Sequence, residues 1–309
     1  MSKAPQFGQD MYRFLNERLH LPWAYSVALV RAAKTVARPV EHARRRSQAA
    51  RLLREPSDFK NKISASKGIW VFDPDELPGA KAAASACAKL FDERFSQESS
   101  TPPDGTNRKK HLRALIPADE LAQNDALLQF ALSRPLLEAA TSYFGSAPVL
   151  SAISLFLTTK NSSQISSQLF HLDGEDVTQL KLFVNVWDTG EQQGPFTTLT
   201  AARTSELLGQ LDRKKRLNRG DMSFDDDFVL SDTSDAQIVR FTGKAGSGGF
   251  VDTSRCLHYG SRGNVKERLV LMIKYTPFNS ARESATSFRS SDWVPAGEYD
   301  DLQRLALRL

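Results

Sequence analysis

The chain has 309 residues, of which 40% are hydrophobic, and a formal net charge of +5. This is enough for one large domain with a sizeable core, and no apolar run approaches the ~20 residues of a membrane span. Two cysteines, Cys87 and Cys256, exclude a disulfide framework and point to a reducing, cytoplasmic compartment.

The charge is unevenly placed. Residues 1–62 hold 13 Lys/Arg against 5 Asp/Glu, a balance of +8, which leaves 28 basic and 31 acidic residues, or −3, for the rest. A uniformly basic face finds no support, so no nucleic-acid partner is expected. Residues 1–22 show no secretory pattern. Trp23 to Glu55 reads as helix, with Val27, Val30, Ala33, Val36/Ala37 and Val40 at helical spacing and Arg31, Lys34, Arg38 and Arg44–Arg46 largely elsewhere. Pro39 should kink or split it. The expected arrangement is a helix packed through its valines with a solvated basic face; the alternative is peripheral contact with an anionic membrane.

Gly68 to Phe72 reads as a short strand, Leu77 to Phe95 as an Ala-rich helix and Gln97 to Lys110 as a loop. Residues 118–144 give one or two helices, broken near Ser133-Arg134-Pro135. After Gly145 the texture changes to strands. Val149–Thr159 is apolar, and Gln179–Trp187 alternates, with Leu180, Leu182, Val184 and Val186 on one face and Lys181, Phe183, Asn185 and Trp187 on the other. Ile238–Phe241, Gly249–Asp252 and Arg268–Tyr275 are later strands, and a short helix near Leu302–Leu309 closes the chain. Gly243–Gly249 lacks the spacing of a phosphate loop. Many short strands after a helical start suggest a closed or folded-over β core flanked by helices.

Two stretches carry chemistry. Gln168-Leu169-Phe170-His171-Leu172-Asp173 places a histidine and a carboxylate two apart, on one side of a strand. Val251 to His258 brings a second histidine from a distant strand, and Arg268 follows ten positions later. Two histidines and one carboxylate suit a non-haem Fe(II) centre with one face of the metal open. Either histidine alone reads more readily as an ordinary polar residue near a strand end; the set does not. His20, His42 and His111 sit at no ligand spacing.

The runs HLDGED…LKLFVNVWDTGEQQGPF, GSGGFVDTSRCLHYGSR and ERLVLMIKY resemble the phytanoyl-CoA dioxygenase family. The resemblance implies a double-stranded β-helix (jelly roll, cupin-like) flanked by N-terminal helices, an α+β fold with a mainly β core. The implied organisation is a basic, mostly helical segment over 1–66, a dioxygenase domain over 67–278 with its β-helix at about 149–278, and a tail over 279–309. It implies Fe(II) held by His171, Asp173 and His258, with 2-oxoglutarate and O2 as cosubstrates. Arg268 falls on the residue that pairs with the distal carboxylate of 2-oxoglutarate. Trp187 and Ser261 fall near cosubstrate contacts, and Lys181 on a lysine common on that strand. Val270 and Met272, on the same side as Arg268, would keep that end apolar. The presence of Asp173 implies hydroxylation, because related halogenases carry Gly or Ala there. The chain departs from the family after Gly194-Pro195-Phe196, where Pro-Gly-Ser-His is replaced by Thr200-Ala201-Ala202-Arg203; Arg203 is expected in solvent, with an anionic substrate as the alternative. Arg262, Asn264 and Arg268 do not match the Arg/Asn/Arg spacing of nucleic-acid demethylases. The expected function is hydroxylation of a small molecule or a lipid- or sugar-type substrate, with succinate and CO2 as co-products. The alternatives are a membrane-surface hydroxylase of a lipid-linked sugar and a non-catalytic jelly-roll binding protein.

Overall fold

Helices predominate before Val149 and strands after it in the computed structural model, which describes residues 4–95, 112–116, 118–160, 166–213, 223–282 and 297–309. The loop read over Gln97–Lys110, and His111, lie outside these residues. Helix α1 (Ala4–Arg13) runs into a π-helical turn (Phe14–Arg18) and is followed by α2 (Trp23–Ala37) and α3 (Pro39–Arg54). Then come β1 (Ile69–Phe72), α4 (Ala80–Phe95), β2 (Leu112–Ala114), α5 (Ala118–Ala122), α6 (Asp125–Ala131) and α7 (Arg134–Phe144). The β region comprises β3 (Val149–Thr158), β4 (Phe170–His171), β5 (Leu180–Asn185), β6 (Thr197–Leu199), α8 (Ala201–Arg213), β7 (Ser223–Phe224), α9 (Asp226–Leu230), β8 (Ile238–Arg240), β9 (Gly248–Asp252), β10 (His258–Tyr259) and β11 (Arg268–Thr276). Helix α10 (Asp301–Leu307) follows.

Two antiparallel sheets face each other, in orders β1-β9-β5-β11-β3-β2 and β7-β4-β10-β6-β8. In chain order β3, β5, β9 and β11 lie in the large sheet and β4, β6, β8 and β10 in the small one. The chain therefore winds between the sheets as a double-stranded β-helix, the jelly roll that the sequence suggests.

Alternation sets the two faces of the large sheet. Leu180, Leu182 and Val184 join Leu269, Leu271, Ile273 and Tyr275 in a buried cluster with Cys87, Leu127, Leu128 and Leu136 from the helices. Each such side chain contributes about 1.5–3 kcal/mol by leaving water. The opposite residues, Lys181, Phe183 and Asn185 on β5 and Arg268, Val270, Met272 and Lys274 on β11, face the small sheet; Phe183 stacks on Phe196 at 4.4 Å. Gly248 and Gly249 belong to this sheet and not to a phosphate loop. A Cβ at Gly248 would meet the Phe183 carbonyl oxygen at 1.9 Å, and one at Gly249 the Phe241 ring at 2.6 Å.

Two expectations need correction. Pro39 does divide the long helix, and Val27 and Val30 are buried as expected, but the two faces hold only in part. Arg31 and Lys34 turn inward, to Asp176 at 2.7 Å and to the Ser280 carbonyl at 2.5 Å, whereas Val36 and Val40 are 79% and 80% exposed. The buried side of α2 is therefore mixed: Val27 and Val30 pack with Tyr12, Leu15 and Ala281, and the two charges find polar partners beside them. Helices α3 and α10 also join the main core. Arg45 is buried and donates to the carbonyls of Ala147, Pro148 and Leu305 at 3.2, 3.1 and 2.8 Å, and Leu302, Leu305 and Leu307 enter the main cluster. Arg203 is 7% exposed, not solvated. It donates to the Asp232 carbonyl and the Thr233 hydroxyl, tying α8 to the turn after α9.

Candidate metal centre

The small sheet brings the two histidines together. His171 on β4 and His258 on β10 are direct antiparallel partners, with ring centroids 4.3 Å apart. Asp173 lies two residues past His171 and is fixed by its backbone N–H, which donates to the Thr253 carbonyl at 2.9 Å. One ligand atom from each of His171, Asp173 and His258 falls within 4.8 Å of the other two, the one such group among the described residues.

The protonation states suit a cation. Each imidazole Nδ1 sits against the backbone carbonyl two residues before it, Leu169 at 2.8 Å and Cys256 at 2.9 Å. A hydrogen on each Nδ1 satisfies these carbonyls and leaves Nε2 as the lone-pair donor. Burial, reinforced by the neighbouring His171, pushes the His258 imidazole down to about 3, so it is neutral at physiological pH. Burial alone would raise the Asp173 carboxyl, but Lys181 and the two histidines outweigh it and hold it well below the usual carboxylate range. Two imidazoles presenting Nε2 and one carboxylate are the donors of a facial triad with open positions, and they fit Fe(II). The Cys256 thiol does not join them: it is directed at the Lys67 carbonyl, 3.5 Å away.

The other sequence-derived residues divide. Arg268 is 4% exposed in the barrel interior, and its Nε has no hydrogen-bond partner. Burial pushes its guanidinium down to about 10, which leaves it charged at neutral pH, and no acidic group faces it among the described residues. Val270 and Met272 are buried on the same side of β11, as expected. Lys181 reaches the centre, but as a partner of a ligand: its Nζ donates to Asp173 Oδ2 at 2.7 Å. Burial opposes its charge, and Asp173 and Glu175 more than restore it. Trp187 lies elsewhere, packed edge-on against Phe91 of α4 at 5.1 Å, because the strand ends at Asn185 and the chain turns outward. The Ser261 hydroxyl donates to Asn264 Oδ1 at 2.9 Å and braces the loop after β10. Arg262 stacks on Tyr259 at 3.5 Å and pairs with Asp226 at 2.8 Å.

Sequence reading missed the supporting carboxylates. In Asp173-Gly174-Glu175-Asp176 each acid has its own cation: Lys181 for Asp173, Lys274 for Glu175 at 3.5 Å, and Arg31 for Asp176. Asp252 accepts from the hydroxyls of Tyr143 and Thr178 and from the backbone of Gln179 and Ser254, fixing the turn that leads to His258. The density of acids in HLDGED was the available signal.

No family model matches the chain, and no curated protein does. Solved structures with a similar course include the non-heme alpha-ketoglutarate-dependent epimerase SnoN from nogalamycin biosynthesis, 18% identical over 74% of this chain and 83% of that one, with a TM-score of 0.45. HygX from Streptomyces hygroscopicus, with nickel and 2-oxoglutarate bound, is 16% identical over 72% and 88%, with a TM-score of 0.44. EctD from S. alaskensis, with 2-oxoglutarate and 5-hydroxyectoine, is 14% identical over 73% and 80%, with a TM-score of 0.46. These likenesses are distant, and the functional reading rests on the chain's own topology and donors: a double-stranded β-helix that carries two histidines and a carboxylate in one metal-sized cluster.

Proposed function

We propose that the protein is an Fe(II)- and 2-oxoglutarate-dependent dioxygenase that hydroxylates a small molecule or a lipid- or sugar-type substrate, with succinate and CO2 as co-products. The observation that carries this reading is Arg268, a buried guanidinium with an unpartnered Nε and no acidic group facing it among the described residues, in the same barrel as the His171–Asp173–His258 cluster. An unpaired buried cation is costly, so the site calls for an anion from outside the chain. The distal carboxylate of 2-oxoglutarate matches the planar fork of arginine, and the resemblance of the HLDGED, DTSRCLH and ERLVLMIKY runs to the phytanoyl-CoA dioxygenase family supports the same ligand.

In this reading His171, Asp173 and His258 hold the iron, which when bound supplies O2 activation coupled to oxidative decarboxylation of 2-oxoglutarate. The Leu169 and Cys256 carbonyls keep both imidazoles in the ligating tautomer. Lys181 orients the Asp173 carboxylate. Arg268 fixes the far end of the cosubstrate, while Val270 and Met272 keep water from that end.

The test is a calorimetric titration of 2-oxoglutarate into the Fe(II)-loaded protein without oxygen, followed by succinate measurement in air. Binding and succinate release are expected. A parent protein that neither binds nor consumes 2-oxoglutarate when reduced and iron-replete fails this reading and is a non-catalytic jelly-roll binding protein.

A further inference from the structure

The outer face of α2 carries no charge. At 100° per residue Tyr25, Ala28, Leu29, Ala32 and Val36 fall on one side, and all five are exposed. Tyr25 is 67% and Leu29 46% exposed. Single exposed apolar residues are ordinary, but an all-apolar outer helix face is not. Of the eleven large hydrophobic side chains exposed among the described residues, seven lie between Phe7 and Val40. Basic side chains adjoin the stripe. Residues 38–54 hold six arginines and one glutamate, and Arg44, Arg46, Arg51 and Arg54 are exposed on α3. Arg38, Val40, Glu41, Arg44, Arg308 and Leu309 line one groove between the α2–α3 junction and the end of α10, where Arg38 pairs with Glu41 and Arg44 with Asp301.

We propose that this face docks on an anionic lipid surface, with the α2 stripe in the headgroup boundary and the α3 arginines on the phosphates. Apolar area beside positive charge is the pattern of an interfacial helix. The geometry is that of lying on the bilayer: α2 has 15 residues, about 22 Å of helix, and no described helix is long and apolar enough to cross a membrane. A second copy is a poorer occupant, because an isologous contact would set the same arginines against each other. The inner face of α2 grips the loop after Asp173: Trp23 Nε1 donates to the Gly174 carbonyl at 3.1 Å, and Arg31 pairs with Asp176. Docking thus sets that loop one helix thickness, about 10 Å, from the lipid. If the iron reading holds, this favours a substrate carried in the membrane; the docking itself does not depend on that reading.

The test is co-sedimentation of the full chain, without metal or 2-oxoglutarate, with vesicles of phosphatidylcholine alone and of phosphatidylcholine with phosphatidylglycerol. About a hundredfold preference for the anionic vesicles is expected at low salt, shrinking as salt rises. The double variants Leu29→Glu/Val36→Glu and Arg46→Glu/Arg54→Glu should each lose binding and keep the parent melting temperature, since all four positions are exposed. Equal sedimentation with both vesicle types, or retained binding by both double variants, overturns the proposal. A parent dimer in light scattering that Leu29→Glu/Val36→Glu converts to monomer also overturns it, because the face is then covered by a second copy.

Discussion

A guanidinium enclosed without a carboxylate lowers stability until an anion arrives, so Arg268 can be tested in two independent ways. Arg268→Ala should raise the apparent constant for 2-oxoglutarate about 30- to several-thousand-fold, the range of a charge-assisted pair worth about 2–5 kcal/mol. Arg268→Lys should fall between, keeping the charge and losing the fork. Iron content, measured separately, should not change. The second readout is thermal: 2-oxoglutarate should raise the melting temperature of the parent and not of Arg268→Met, which without cosubstrate should melt no lower than the parent. An unchanged 2-oxoglutarate dependence in Arg268→Ala would move the anchor elsewhere. Lys181 makes the converse argument. It supplies the counter-charge of Asp173 before metal binds, and both side chains keep 17% exposure. Lys181→Met should therefore cost the metal-free protein about 2–3 kcal/mol, below the figure for a fully enclosed pair. Divalent metal replaces that charge, so metal should raise the melting temperature of the variant more than that of the parent. Equal increments would show that Lys181 does not balance Asp173.

At the scale of elements, α2 is a brace for the metal loop. Asp176 is fully enclosed; it accepts from Arg31 at 2.7 Å and from the backbone of Val177 and Ala281. Arg31→Ala leaves that carboxylate without its cation and loosens the loop behind Asp173, so metal affinity should fall about 10- to 100-fold, as for other groups that support ligands. A metal titration that superimposes on the parent's would make α2 packing alone. This brace could not be read from the sequence, because its partners are 145 residues apart and helical spacing shows which residues share a face but not which face is covered. Arg31, Lys34 and Val36 were thus assigned to the wrong sides, while Val27 and Val30 are buried as expected. The long strands were legible, since β5 and β11 run six and nine residues with clear alternation. The strands of the small sheet were mostly not: β4 and β10 have two residues each, too few for any period, although they hold both histidines. The histidine and carboxylate were visible through chemistry and spacing instead. Trp187 was misplaced because alternation was carried two residues past the end of β5 at Asn185.

The whole molecule is joined at its ends, and its two thiols can report on that. Arg45 of α3 binds backbone carbonyls before β3 and in α10, so the first, middle and last parts of the chain share one core. Cys87 lies in the cluster between the helices and the large sheet; Cys256 lies in the cluster inside the barrel, with Ile69, Phe196 and Phe241. Both are fully enclosed. Burial pushes the Cys87 thiol up to about 12 and raises Cys256 further, with Asp252 adding to it. A thiol reagent needs both access and a thiolate, and at mildly alkaline pH the folded protein offers neither. Labelling must then wait for opening of the core. If the two clusters open together, both cysteines react in one slow phase, and Fe(II) or Ni(II), bound across β4 and β10, slows both equally by favouring the folded state. Mass spectrometry of the labelled chain distinguishes the two sites. Cys256 reacting ahead of Cys87, with metal protecting Cys256 alone, would instead show that the barrel opens without the helical layer and that the two clusters are separate cooperative units.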